Sequence, residues 1–221
     1  MHNYKLTLQY DGTKYNGWQR QGNTANTIKG KLNDTIGKYL EEEIDVAGSG
    51  RTDAGVHAYG QVANFKTKKC LDTEQLVKEL NQYLPQDIRI TKAEEVDERF
   101  HARLSAVDKT YEYVIDNGRV LDVFTRKYAW RMEETLDIEA MKAASKHLIG
   151  THDYTSFCGN KKFKKSAVRT VTDITIEEWN DKIKISYTGN GFLQNMVRIM
   201  TGTLVEAGMG KRQPDTMPAI L

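Results

Sequence analysis

The chain has 221 residues, a formal net charge of +2 and two cysteines, Cys70 and Cys158. Its length allows one large domain or two small ones, and its apolar content excludes a disordered chain. With no bilayer-length apolar run, no charged-then-apolar leader and no Cys-x-x-Cys spacing, the expectation is a soluble, reduced, cytoplasmic protein without membrane span, disulfide framework or zinc site.

The elements follow in order from the periodicity. Tyr4, Leu6, Leu8 and Tyr10 alternate with Lys5, Thr7 and Gln9, which predicts a half-buried strand. Ile28, Leu32, Ile36 and Leu40 recur every fourth residue and predict a helix. Ile44 to Ala47 and Gln61 to Phe65 read as strands joined by a glycine-rich connection. Leu76, Val77, Leu80 and Leu84 give a second helix closed by Pro85, and Ile88 to Val96 a further strand. This is the split β-α-β-β-α-β order of ferredoxin-like, RRM-like units.

The second half nearly repeats it. Tyr111, Tyr113 and Ile115 share a strand face, and Tyr128 to Arg131 predicts a short strand. A helix over about Asp137 to Ile149 precedes two strands, one carrying Ile174 and Ile176, the other Ile183, Ile185 and Tyr187. A long helix is expected from about Gly191 to Ala207, and the closing strand that the pattern calls for is not met before Leu221. The fold class expected is α+β, with halves 1–103 and 104–221 that share a mainly antiparallel sheet, since no Pro/Ser-rich linker divides them.

Two places carry the chemistry. The run Gly48-Ser49-Gly50-Arg51-Thr52-Asp53-Ala54-Gly55-Val56-His57-Ala58 is a glycine-shaped loop between strands, a usual seat for catalytic groups. It lacks the Gly-Lys-Ser/Thr of a phosphate-cradling loop. A plainer account is also open, in which Asp53 caps a turn and pairs with Arg51. The second place is Arg198, the one charged residue between Gly191 and Val205. A guanidinium on a largely buried helix needs a carboxylate or water. Gly191, Gln194 and Gly202 are expected on its side of the helix, and Asp53 would suit it as partner, although Arg198 reaching the surface or pairing with another acid stays open. Lys161, Lys162, Lys164, Lys165 and Arg169 cluster around Phe163, either as a solvated loop or as a local RNA footprint.

These residues resemble the TruA-type tRNA pseudouridine synthases. Gly50-Arg51-Thr52-Asp53-Ala54-Gly55-Val56-His57-Ala58 is similar to that family's catalytic signature, and Asp11-Gly12-Thr13 with Gly17-Trp18-Gln19 to its opening loop. Phe100-His101-Ala102-Arg103 and Lys109-Thr110-Tyr111-Glu112-Tyr113 resemble the entry to its second domain. Arg169-Thr170, Gly191-Phe192-Leu193 and Met196-Val197-Arg198 resemble its C-terminal motifs.

The resemblance implies that Asp53 is the catalytic nucleophile, that Tyr111 stacks on the target base and that Arg198 pairs with Asp53. It implies that Arg51 helps hold the flipped nucleotide, with His57 and His101 as weaker substrate contacts. It further implies a homodimer acting on the anticodon stem-loop of tRNA, positions 38 to 40. An isomerisation with no net oxidation fits the absence of any nucleotide- or metal-binding motif, so no metal or cofactor is expected. Arg169 and the lysine cluster would then bind RNA. The family pattern also continues past the end of this chain, so a catalytically impaired RRM-like tRNA-binding protein is the alternative. A nucleosidase is disfavoured by the lone carboxylate and by the absence of an acidic Ca²⁺-binding cluster.

Overall fold

The first strand, β1 (His2–Tyr10), buries Tyr4, Leu6, Leu8 and Tyr10, as the alternation requires. It is taken here from a computed structural model that describes every residue except 23, 161 and 163. The described chain divides into two units, Met1–Ala106 and Val107–Leu221.

In the first unit β1 is central. It pairs antiparallel with β3 (Ala58–Thr67) on one side and with β4 (Ile88–Val96) on the other, so that Leu6 faces Ala63 and Ala93 across the ladders. With β2 (Ala47–Gly48) the sheet order is β2-β3-β1-β4, the arrangement of a split βαβ unit. Helix α1 (Ile28–Leu40) buries Ile28, Leu32, Ile36 and Leu40, and Thr27 caps it by accepting from the Gly30 N–H. Helix α2 (Thr73–Tyr83) is capped by Asp72 and buries Leu76 and Leu80. Burying each of these leucines contributes roughly 1.5–3 kcal/mol before the entropy of ordering is set against it. Strand β2 is shorter than the predicted Ile44–Ala47 and lies later. The Val46 N–H is taken by the Asn33 side chain at 3.0 Å and is therefore withdrawn from the ladder.

The second unit holds a five-stranded sheet in the order β6-β5-β9-β8-β7. Its strands are β5 (Lys109–Asp116), β6 (Trp130–Arg131), β7 (Gly150–Asp153), β8 (Val168–Trp179) and β9 (Lys182–Gly189). The β8–β9 hairpin turns through Asn180 and Asp181, both at positive φ, as a two-residue turn matched to strand twist demands. Helices α3 (Ile138–Lys146) and α4 (Met196–Gly208) contribute Met141, Ala144, Met196, Met200 and Leu204 to its core. The position beside β5 that a split βαβ unit gives to its last strand is taken by β6, which runs parallel to β5.

The α+β class and the mainly antiparallel pairing are as expected. The strands group in two sheets, one within each unit, instead of the single shared sheet anticipated. Helix α4 also begins five residues later than expected. Gly191–Asn195 is tied down before it, with the Asn190 N–H donating to Thr170 O at 3.0 Å and the Gly159 N–H to Gln194 O at 2.8 Å. Asn195 in the left-handed region then turns the chain into the helix.

Asp116 closes β5 from a buried position. It accepts from the Gly118 and Asp122 N–H groups at 3.2 Å each and from Arg131 at 2.9 Å. Burial pushes its carboxyl up, but the two N–H groups and the guanidinium outweigh that and hold it below the ordinary value of 3.8. Its stabilising contribution is therefore present above the ordinary carboxylate range and is lost as the pH falls through the lower folded value. Asp116→Ala is expected to lower the melting temperature at neutral pH by roughly 5–15 °C. The gap to the parent chain should narrow in acid, and a pH-independent gap in melting curves would refute this.

Candidate active site

The glycine-shaped loop is clasped by the segment that follows β1. The Trp18 N–H donates to Thr52 O at 2.9 Å, and the Gly55 N–H donates to Tyr15 O at 3.3 Å. The hydroxyls of Tyr10 and Thr52 share a hydrogen bond of 2.9 Å. The approach is so close that side chains are excluded from it. A Cβ on Gly12 would lie 2.0 Å from Val56 O, and one on Gly17, at φ +86°, would lie 2.6 Å from Thr52 O. From the strand side, the Gln61 amide donates to Gly50 O and its carbonyl accepts from the Ser49 hydroxyl. Residues on both sides of Asp53 are thus fixed by backbone bonds, leaving its side chain exposed at the surface of the unit.

Within that unit no described side chain bonds the Asp53 or Arg51 side chains, so the account in which Asp53 caps the turn and pairs with Arg51 does not hold. Val56 is held by the Asp53 backbone carbonyl instead. His57 Nδ1 lies 3.1 Å from the Gly12 nitrogen and 3.0 Å from Asp11 Oδ1. One nitrogen cannot accept from the first and donate to the second at once. Asp11 Oδ1 is already engaged by the Thr13 N–H and hydroxyl, and Nδ1 accepts from the Gly12 N–H of the other loop. His57 therefore ties the two loops together. His101 behaves similarly, its Nδ1 accepting from the Arg103 N–H at 3.1 Å. Its segment is anchored to the sheet by two buried asparagines that sequence reasoning missed. Asn3 donates to Phe100 O and Asn64 accepts from the Ala102 N–H.

In the second unit, Tyr111 on β5 is half-buried and stands edge-on to Phe192 at 5.2 Å between ring centroids. Phe192 belongs to the connection before α4. The Arg169 side chain runs 3.8 Å from the position that a Gly191 Cβ would occupy, and its guanidinium donates to Ser166 O and Val168 O. Tyr111, Arg169 and Gly191–Phe192 are thereby gathered at one end of β5, β8 and β9. Lys162, Lys164 and Lys165 are exposed, whereas Lys161 and Phe163 lie outside the described residues.

Arg198 lies in the first turn of α4 and is exposed, unlike the buried setting that the apolar helix suggested. The buried stripe runs through Met196, Met200, Thr201, Leu204 and Val205, and Arg198 lies off it. Gly191 and Gln194 precede the helix, which removes them from the expected track, while Gly202 remains one turn from Arg198 and faces open space. A cation in the first turn opposes the positive end of the helix dipole, worth about 0.3–1 kcal/mol, and within its unit no described carboxylate offsets this. Such an arrangement adds nothing to the stability of the helix. Arg198→Ala is accordingly expected to leave stability within about 0.5 kcal/mol, and denaturant melts of the two chains should overlay.

No helix among the described residues is long and apolar enough to cross a membrane. The family model described as tRNA pseudouridine synthase matches residues 7–104 and 144–221. The chain is 49% identical over its whole length to tRNA pseudouridine synthase A 2 of Bacillus cereus, of which it covers 90%. It is 47% identical to tRNA pseudouridine synthase A of Bacillus sp. (strain KSM-64), again over the whole chain and covering 91% of that relative. To tRNA pseudouridine synthase A 2 of Clostridium perfringens it is 44% identical over the same span, covering 90%. Both loops of the first unit and Phe192 fall within the family match, the alignments to these relatives also take in Tyr111, and the chain belongs to the TruA-type tRNA pseudouridine synthase family.

Proposed function

We propose that this protein isomerises uridine to pseudouridine in tRNA, at positions 38 to 40 of the anticodon stem-loop, with Asp53 as the catalytic nucleophile. The observation that carries the reading is the Asp53 loop, a carboxylate presented at the surface while the backbone on either side of it is fixed. Such a group is positioned without being consumed by structure. The reaction breaks the bond from uracil N1 to the ribose and forms one from C5 to the same carbon. The proton on C5 is lost and N1 gains one, so atoms and electrons balance without an oxidant or a leaving group. One carboxylate is enough, attacking either the base or the ribose.

Taking the uridine out of its stack costs roughly a few kcal/mol, least where pairing is already weak, as at the end of a stem. Tyr111 is assigned to stack on the extruded base, Arg51 to hold its phosphate, and Arg169 with Lys161, Lys162, Lys164 and Lys165 to neutralise the RNA backbone. His57 and His101 contribute by shaping their loops. The pairing of Arg198 with Asp53 rests on the family resemblance alone. A cytoplasmic location belongs to the same reading, because tRNA is the substrate.

A homodimer is part of it too. Support comes from the connection between β5 and β6, where Val120 and Phe124 are 80% and 87% exposed. That connection is braced by the Lys182–Asp122 ion pair and the Asn117 N–H to Asp181 O bond. Braced apolar side chains in water are the mark of a surface that is covered in use. Light scattering at micromolar concentration reads the mass directly, and a monomer would remove this element.

The deciding experiment is incubation of unmodified tRNA with the protein, followed by carbodiimide treatment and reverse transcription. Stops in the anticodon stem-loop are expected. Stops elsewhere would keep the reaction and discard the position, and tRNA binding without stops would discard catalysis.

A further inference from the structure

We propose that Tyr15 and Asp87 form a positioning pair for the catalytic loop, setting where the Asp53 carboxylate stands without touching the substrate. The inference rests on the assignment of Asp53 above and extends it to residues outside the loop. The segment between β1 and α1 bonds the loop on both sides of Asp53, at Thr52 through Trp18 and at Gly55 through the Tyr15 carbonyl, and Tyr10 at the end of β1 adds its hydroxyl to that of Thr52. That segment needs a fixed base of its own, since a loop can position another only as well as it is itself held.

Asp87, the residue before β4, supplies the base twice. Its backbone carbonyl accepts from the Asp11 N–H at 2.9 Å, and its carboxylate accepts from the Tyr15 hydroxyl. Lys14 Nζ stands 3.8 Å from the other carboxylate oxygen and is mostly in water, where it adds little. Tyr15 is only 6% exposed, so its ring cannot swing into solvent if the hydroxyl loses its acceptor. Burial, and then the neighbouring Asp87 carboxylate, push the Tyr15 phenol above its usual 10, which keeps the proton in place as a donor at working pH. The hydroxyl that meets Asp87 and the carbonyl that meets Gly55 belong to one residue. Displacing the ring therefore displaces the bond two residues after Asp53.

A positioning role predicts a particular split. Tyr15→Phe is expected to lower kcat on tRNA by about tenfold or more while KM changes less than about twofold, because RNA is gripped elsewhere. Asp87→Asn keeps an acceptor oxygen for the phenol and should retain at least about half of the parent kcat, whereas Asp87→Ala should behave like Tyr15→Phe. Should Tyr15→Phe fail to fold, the Asp87→Ala and Asp87→Asn comparison carries the same test. Amide exchange of the free protein provides an arm that needs no activity. The Gly55 and Trp18 amides should exchange about tenfold faster in Tyr15→Phe than in the parent. Parent-like kcat, equal losses in kcat and binding, or unchanged exchange at Gly55 would each overturn the proposal. If the parent chain makes no pseudouridine, the functional reading fails by itself, and the exchange result still decides whether the pair positions the loop.

Discussion

Asp53→Asn is expected to lower pseudouridine formation by at least about a thousandfold while changing tRNA retention by less than about twofold. The substitution keeps shape and removes the negative charge, so neither attack on the base nor proton shuttling remains available to the side chain. Its cost to the fold should be small. The residue is exposed, and the bond that Asp53 gives the loop comes from its backbone carbonyl to the Val56 N–H, which asparagine preserves. Thermal melts should overlay those of the parent chain to within about 2 °C, as expected of a surface change of about 0.5 kcal/mol or less. The decisive comparison is single-turnover pseudouridine yield with enzyme in excess, which separates chemistry from binding and product release. Comparable yield from the asparagine variant would remove Asp53 from its catalytic role and leave Arg51 and Tyr111 without a reaction to serve.

Gly12→Ala should be the most damaging of the single-methyl changes. The added Cβ would sit 2.0 Å from the Val56 carbonyl oxygen, and the atom met is backbone, so no side chain can rotate away. One of the two loops must move, at a cost of about 1–3 kcal/mol, which a domain stabilised by about 5–15 kcal/mol can bear. The chain should therefore fold. The displacement falls on the bond from Gly12 to His57 and on the loop that carries Asp53, and about 1 Å of misplacement is worth roughly a hundredfold in rate. The expected outcome is a folded protein that binds tRNA and turns over at about one hundredth of the parent rate. Parent-like activity in Gly12→Ala would mean that the loop contact is slack and that the geometry described here is not the working one.

Much of the architecture is legible from periodicity. The alternation in β1, the fourfold spacing in α1 and the isoleucines of β4 each bury the face that the pattern marks. The parts that escape are those without a pattern to read. Strand β7 is the polar tetrad Gly150–Asp153, placed by its pairing with β8 and not by its own residues. The start of α4 is set by the bonds from the Asn190 N–H to Thr170 O and from the Gly159 N–H to Gln194 O, which no helical spacing announces. The same holds at the site. The Asp53 loop stands out as a run of glycines around charge, and Arg198 as a charge among apolar residues. An apolar count along the chain nevertheless overstates how deeply Arg198 is buried, because α4 is buried along one stripe and Arg198 lies beside it. Gly12 and Gly17 are visible in the sequence only as turn residues. Their service as clearance for a loop some forty positions later is a tertiary fact. Asn3 and Asn64, buried in a sheet and bonded to each other at 2.9 Å, are likewise unreadable without the partners they hold.

The close seating of the segment after β1 against the Asp53 loop bears on how portable this active centre is. Residues 48–58 look like a self-contained cassette, yet their shape is moulded by a second stretch of backbone that approaches too closely to admit a methyl group. Transplanted alone into another strand connection, the cassette would keep its letters and lose its mould. The smallest transferable piece is therefore discontinuous, comprising both loops and the strands from which they spring. A change in the opening loop therefore reaches a carboxylate that the loop does not bond.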